Sequence, residues 1–173
     1  MKLIKKYFPE ITEQQLSQLE KFRTLFIEHN TTVNMISRKD TENLEERHIL
    51  HSLAIAKFIN FKPQTKILDI GTGGGFPGLP LAIFFPGCNF TLVDSIGKKI
   101  KIVNELIEAL ELKNVEAINA RAETLNIHVD FVVSRAVAPL SELFKWSEKL
   151  VLREKYNDRP NGYILLKGGN LTE

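Results

Sequence analysis

An apolar run that breaks abruptly into glycines constrains this chain more than any other feature: Lys66-Ile-Leu-Asp-Ile-Gly-Thr-Gly-Gly-Gly-Phe-Pro-Gly78, followed by Leu92-Val93-Asp94. The stretch Ile67 to Ile70 suits a strand covered on both faces. Glycines beyond it allow a sharp turn and a close approach of backbone to ligand, because no Cβ intervenes. The second run ends in a carboxylate, which can accept hydrogen bonds from both hydroxyls of a ribose. Strand, glycine turn, helix, strand and acid together form the layout of a nucleoside-cofactor site.

The details of the loop narrow the cofactor. A dinucleotide fold wants G-x-G-x-x-G, and Gly71-Thr-Gly73-Gly-Gly-Phe76 does not supply the third glycine. A P-loop is excluded because no Gly-Lys-Ser/Thr follows. Asp69, two residues before the loop, is badly placed for a pyrophosphate, which needs amide donors and no competing negative charge. It suits a cofactor with a cationic amino group, such as S-adenosylmethionine, whose carboxylate can still take loop amides. These features favour a methyltransferase over a dehydrogenase. Asp94 has a second reading, as a carboxylate capping the helix that begins near Gly97, but its offset from the loop favours the ribose.

Composition sets the surroundings of that site. At 173 residues and 43% hydrophobic, the chain can bury one core and carry an N-terminal extension. It lacks a run of about 18 apolar residues, so no transmembrane helix is expected. No signal-peptide core follows the basic start, and Cys88 is alone, so the expected setting is the cytoplasm. A net charge of +2 is modest for a nucleic-acid binder. Its basic residues cluster only locally, at Lys2/Lys5/Lys6, Lys98/Lys99/Lys101 and Arg121/Arg135.

Thr12 and Gln15 form a capping box, and Leu16, Leu19, Phe22, Phe26 and His29 recur at helical spacing, which predicts a helix over 12–29. Asp40 or Thr41 caps a second helix to about residue 59, with Leu44, Ile49, Leu53 and Ala56 on one side. Strands are predicted at 66–70, 89–94, 115–119, 130–134 and 162–167. Helices fall near 77–84, 97–111 and 139–151, with a short turn at 121–125. The expected fold is therefore α/β, a doubly wound, mostly parallel sheet behind an N-terminal helical cap. Residues 1–61 form the cap and 62–173 the cofactor-binding core of one compact unit.

Several of these runs together resemble one family, the RsmG (GidB) methyltransferases. The resemblance is carried by Asp69-Ile-Gly-Thr-Gly-Gly-Gly-Phe-Pro-Gly-Leu-Pro-Leu81, Leu92-Val-Asp-Ser-Ile-Gly-Lys-Lys99, Arg121-Ala-Glu123, Val133-Ser-Arg-Ala136 and Leu166-Lys-Gly168. Asn34-Met-Ile-Ser37 and Arg47-His-Ile-Leu-His-Ser-Leu53 in the cap add to it, so it spans the chain from about residue 12 onward. It implies a Rossmann-like class I methyltransferase that uses S-adenosylmethionine to methylate guanine N7 in the decoding region of 16S ribosomal RNA. The partner would be that RNA or the small ribosomal subunit.

By the same resemblance, Gly71, Gly73 and Phe76 would line the methionine part of the cofactor. Asp94 would hold the ribose, with Ser95 beside the adenosine. Ala122 and Glu123 would meet the adenine. Arg135 would stand at the mouth of the pocket, counted with the cofactor residues and as the one catalytic assignment, a substrate-positioning group with no general base needed. Arg47, His48, Lys98, Lys99 and Arg121 are candidates for phosphate contact. No metal site is expected, since four scattered histidines and one cysteine form no ligand spacing.

Two departures stand out. His51 occupies the position where the family commonly has an acid, so no role carries over to it, and it reads as a packing residue. The sequence stops at Glu173, short of the family's usual final strand pair, so the sheet edge near 162–167 would need other cover. Two other functions remain open at this point: a small-molecule methyltransferase with a closed pocket, and a non-catalytic RNA- or nucleotide-binding module.

Overall fold

The apolar runs become five parallel strands in a computed structural model that describes residues 1–135 and 138–167. They are β1 (Lys66–Ile70), β2 (Asn89–Asp94), β3 (Val115–Asn119), β4 (Phe131–Arg135) and β5 (Gly162–Leu166), in the order β3-β2-β1-β4-β5. The fold is Rossmann-like α/β, as the alternation predicted. Successive residues of each strand face opposite layers. Ile67, Phe90, Leu92, Phe131 and Val133 join the large core beneath the cap, whereas Leu68, Ile70, Val93 and Val132 pack on the other face with Leu143 and Leu150. Strand β4 begins one residue later than expected. Asp130 is spent on a cap, its carboxylate accepting the Lys66 amide at 2.8 Å and the Asn161 side chain at 3.1 Å.

The helices in chain order are α1 (Lys2–Tyr7), α2 (Glu13–Asn30), α3 (Arg38–Glu42), α4 (His51–Phe58), α5 (Gly78–Phe84), α6 (Gly97–Ala109) and α7 (Leu140–Ser147). Helix α2 starts as its sequence specifies. Thr12 Oγ1 accepts the Gln15 amide at 3.2 Å, and Gln15 Oε1 accepts the Thr12 amide at 3.0 Å. Gln15 also donates from Nε2 to the Phe84 carbonyl at 2.8 Å, while Gln18 and Lys21 reach the Leu110 and Ala109 carbonyls. These are last-turn carbonyls of α5 and α6, which have no partner inside their own helices. One helix of the cap therefore closes two helices of the core.

Two parts of the cap differ from expectation. Helix α1 was not anticipated, yet Ile4 and the following Phe8 are fully buried. The expected helix over 40–59 is divided: Ser37, not Asp40, caps α3, Asn43 ends it, and a π-helical turn (Glu45–Leu50) leads into α4. On α2, the inward position after Phe26 is Asn30 rather than His29. Asn30 Oδ1 takes the Met35 and Ile36 amides, and its Nδ2 reaches the Ile36 carbonyl, which folds the segment 31–37 back against the helix.

Phe22, fully buried, joins cap to core through ring contacts at 5.8 Å with Phe26 and 5.3 Å with Phe76 of the glycine loop. Truncation to Phe22→Ala is expected to destabilise the protein by about 3–5 kcal/mol. A urea titration followed by circular dichroism would measure it, and a change under about 1 kcal/mol would mean that this cluster is not the joint described.

Candidate active site

Parallel sheets bind ligands where the strand order reverses, outside the carboxyl ends of the strands. Here that point lies between β1 and β4, whose pairing stops at Asp69 and Val133. Beyond it the strands part, and the Ser134 hydroxyl donates to the Ile70 carbonyl at 2.8 Å. The crevice so opened becomes a cavity of about 590 Å³, within the range of small-molecule sites. All eight residues expected at the cofactor line it: Gly71, Gly73, Phe76, Asp94, Ser95, Ala122, Glu123 and Arg135. Met35, Ile36, Thr72, Lys99, Arg121 and Trp146 also line it. Trp146 had no signal of its own in sequence, and Met35 and Ile36 entered only as part of a recognised run with no assigned role, because their place depends on how α7 and the cap dock.

The loop is held from behind by Asp69. Its Oδ2 accepts the Thr72 hydroxyl at 2.7 Å and the Gly78 amide at 2.9 Å, and the side chain is completely buried. This corrects the expectation that Asp69 meets a cationic group of the cofactor: it lies outside the cavity lining, its carboxyl folding the loop. The other oxygen, Oδ1, has no partner. Gly78 also fills the role of the glycine that the dinucleotide pattern lacks. A Cβ there would stand 2.7 Å from Leu92 Cγ on β2, so only glycine lets α5 lie this close to the sheet.

Asp94 closes the front of the loop. Gly73, held at φ +57°, donates its amide to Oδ2 at 2.9 Å, and the Ile96 amide donates to Oδ1 at 2.9 Å. The Asn119 side chain holds the Asp94 carbonyl at 2.9 Å. Asp94 is not the cap of α6, for that position is Ile96, which offers no side-chain acceptor. Each carboxylate oxygen keeps a second lone-pair site, and both belong to a residue that borders the cavity. The acid that would hold a ribose diol is thus fixed by three backbone and amide donors. Ala122 is buried and Glu123 exposed beside it, with Arg121 Nη1 3.9 Å from Glu123. An acid for the diol, loop amides and apolar walls from Ile70, Val93 and Ile96 fit a nucleoside cofactor. Exposed Ser95, Arg121 and Glu123 leave the rim open, unlike the closed chamber expected of a small-molecule methyltransferase.

Arg135 ends β4 on the opposite wall. Its Cζ lies 5.0 Å from the centre of the Phe76 ring, Nη1 donates to the Arg47 carbonyl at 3.3 Å, and Nη2 stands 2.8 Å from His48 Nδ1. Among the described residues no carboxylate pairs with it, so it is not an ordinary ion pair. His48 is buried at 9% exposure, its ring 5.3 Å from Phe76. Burial, and then the charge of Arg135, hold its pKa down to about 4. His48 is therefore a neutral interior ring and no phosphate contact, contrary to the sequence expectation. His51, expected to pack, is exposed, and partial burial followed by the Arg135 charge holds its pKa below the usual value. Of the other phosphate candidates, Lys99 and Arg121 border the cavity, Lys98 is exposed nearby, and Arg47 pairs with Asp40 at 3.1 Å. Ala136 and Gly168, which complete two of the recognised runs, lie outside the described residues.

Comparison with known proteins places this geometry. Residues 15–171 match the family model described as rRNA small subunit methyltransferase G. The chain is similar to the ribosomal RNA small subunit methyltransferase G of Phocaeicola vulgatus, 54% identical over the whole chain and 83% of that protein. A protein of the same description from Bacteroides thetaiotaomicron is 54% identical over 99% of this chain and 83% of its own length. Among solved structures, coclaurine N-methyltransferase bound to N-methylheliamine and SAH shares the fold, with a TM-score of 0.54 over 61% of this chain and 33% of that one at 18% identity.

Two buried groups give the site opposite responses to pH. Burial pushes the Asp69 carboxyl up to about 7, against its bonds to Thr72 and Gly78. The folded protein then binds more protons at this group than the unfolded chain does between about pH 4 and 7, so its contribution to stability falls as pH rises through that window. His48, held down to about 4, is protonated more in the unfolded chain, and its contribution rises with pH up to about 6.5. Asp69→Asn stays neutral and removes the first effect. Its melting temperature relative to the native protein is expected to rise from about pH 5 to about pH 8. A difference that calorimetry finds independent of pH would contradict the raised carboxyl.

Proposed function

The chain belongs to the rRNA small subunit methyltransferase G family, and from that premise we propose that it methylates N7 of a guanine in 16S ribosomal RNA, with S-adenosylmethionine as the donor. One observation carries this reading. Asp94 stands on one wall of an open cavity and Arg135, with no carboxylate partner among the described residues, stands on the other. The first suits a nucleoside, the second an electron-rich substrate.

In this reading Asp94 accepts the ribose hydroxyls, Ser95 lies beside the adenosine, and Ala122 with Glu123 borders the adenine. Gly71, Gly73 and Phe76 enclose the methionine part. The cofactor, when bound, supplies an electrophilic methyl group. Guanine N7 has a lone pair and no proton, so the chain need not provide a base or a metal ion. Its residues align the reactants and keep water out. Met35, Ile36, Ile70 and Phe76 give the reacting end apolar walls. Arg135 donates to guanine O6 or to a phosphate oxygen, and not to N7, where a hydrogen bond would occupy the attacking pair.

The rim supports a polyanionic substrate. Lys98 and Lys99 sit in the first turn of α6, which has no acid there and no side-chain cap. Cations at that end oppose the helix dipole, at a cost of about 0.3–1 kcal/mol each, and leave a positive field beside the cavity. With a net charge of only +2, recognition relies on folded RNA shape or on the assembled small subunit. Among the described residues no helix is long and apolar enough to cross a membrane. An RNA substrate of this kind puts the work in the cytoplasm. Cap (1–61) and core (62–173) act as one unit, because Met35 and Ile36 of the cap wall the core's cavity.

The central test is mass mapping of small-subunit ribosomal RNA from cells with and without the protein, where an unchanged pattern of guanine methylation would sink the proposal. Loss of the diol acceptor in Asp94→Ala is expected to weaken S-adenosylmethionine about 10- to 100-fold by calorimetric titration, the scale of charged hydrogen bonds. For Arg135→Ala, kcat on small subunits should fall about 100-fold while cofactor Kd changes less than about 3-fold. Equal losses in both would move Arg135 to the cofactor side.

A further inference from the structure

Arginine stays charged in proteins and only donates hydrogen bonds. The atom it faces at 2.8 Å, His48 Nδ1, must therefore be a bare acceptor, which places the imidazole proton on Nε2. A doubly protonated ring would set N–H against N–H at this distance. The other end of the fork meets the Arg47 carbonyl at 3.3 Å. Both acceptors come from the π-helical turn Glu45–Leu50, whose wider winding brings a carbonyl and the next residue's ring to bear on one guanidinium. The guanidinium lies over the Phe76 ring at 5.0 Å, and the His48 ring stands 5.3 Å from the same ring at a tilt of 56°, so guanidinium and imidazole pack against one side chain.

Both partners are neutral. A carboxylate in either place would hold the arginine more strongly, but it would cancel its field and compete for the N–H groups. Two of the five donors are engaged with the cap, which leaves the others for the cavity that Arg135 borders. Charged groups that act on this pair from neighbouring elements are the buried Asp69 of β1, Arg47 and Asp40, tied to each other at 3.1 Å, and the exposed His51.

We propose that His48 is a positioning residue for methyl transfer, a neutral acceptor that aims the Arg135 guanidinium at the target guanine nucleotide without cancelling its charge. This rests on the substrate-facing reading of Arg135.

The test uses the full chain, small ribosomal subunits lacking the modification, and separate measurement of kcat, KM for the subunit and Kd for S-adenosylmethionine. His48→Leu removes the acceptor and keeps an apolar side chain. It is expected to lower kcat about 10- to 100-fold, the scale of a misaligned catalytic group, with cofactor Kd within about 3-fold. His48→Asn, whose Oδ1 can stand where Nδ1 does, should recover most of that loss. The double variant His48→Leu/Arg135→Ala should be no slower than Arg135→Ala alone, because the histidine acts only through the arginine. Equal losses in His48→Leu and His48→Asn, or losses that multiply in the double variant, would overturn the proposal while leaving the Arg135 reading intact. Full turnover in Arg135→Ala would overturn that reading, and the histidine proposal with it. A His48→Leu protein that also loses cofactor binding would show the residue to be structural.

Discussion

Everything at the site depends on one buried carboxyl folding one loop. Asp69 sits on the central strand with no exposed surface, and its Oδ2 gathers the Thr72 hydroxyl and the Gly78 amide from both ends of the glycine turn. That closure presents Gly73 to Asp94, seats α5 against β2 and directs Phe76 outward to the cap. Burying a carboxyl so completely with one oxygen unpartnered is costly, and the raised pKa is the sign of it. Such strain is tolerated where the resulting loop geometry is required.

Phe76 carries that geometry into the cap. Its ring meets Phe22, Phe26, His48 and Arg135, so a single loop residue touches α2, the π-helical turn and the end of β4. Edge-on and tilted ring pairs of this kind add about 0.5–1.5 kcal/mol each beyond their buried area. The cap consequently walls part of the candidate site's cavity. Gln15, Gln18 and Lys21 anchor it on the last carbonyls of α5 and α6, and Asn30 folds 31–37 so that Met35 and Ile36 wall the cavity.

The two walls of the cavity treat charge differently. Asp94 sits among donors that stiffen it, whereas Arg135 keeps its positive charge among acceptors that carry none. Acid and base catalysis have no part in transferring a methyl group to an unprotonated nitrogen. A site for that reaction needs fixed fields and shape, and both charged residues here are held by neutral groups in fixed positions.

The order of elements was legible from residues alone. Each strand is a short apolar run between breakers, and β1, β2 and β3 fell where those runs predicted, while the Thr12 and Gln15 capping box marked the start of α2. The place of the candidate site was legible too, because glycines after a strand and an acid after the next have few physical uses, and both border one cavity. Tertiary structure decided the rest. Helix α1 has only six residues, and its burial of Ile4 exists only once the cap has formed. Asp69 looked like a cofactor ligand because sequence shows its place on the strand but not that the loop folds over it. The close packing that Gly78 permits shows only once α5 lies against Leu92. His48 meets Arg135 across 87 positions of sequence, through a π turn that no local pattern announces. Periodicity and turn chemistry act between near neighbours, so the sequence determines the elements. Partnership between distant side chains depends on how those elements dock, and only the folded chain decides it.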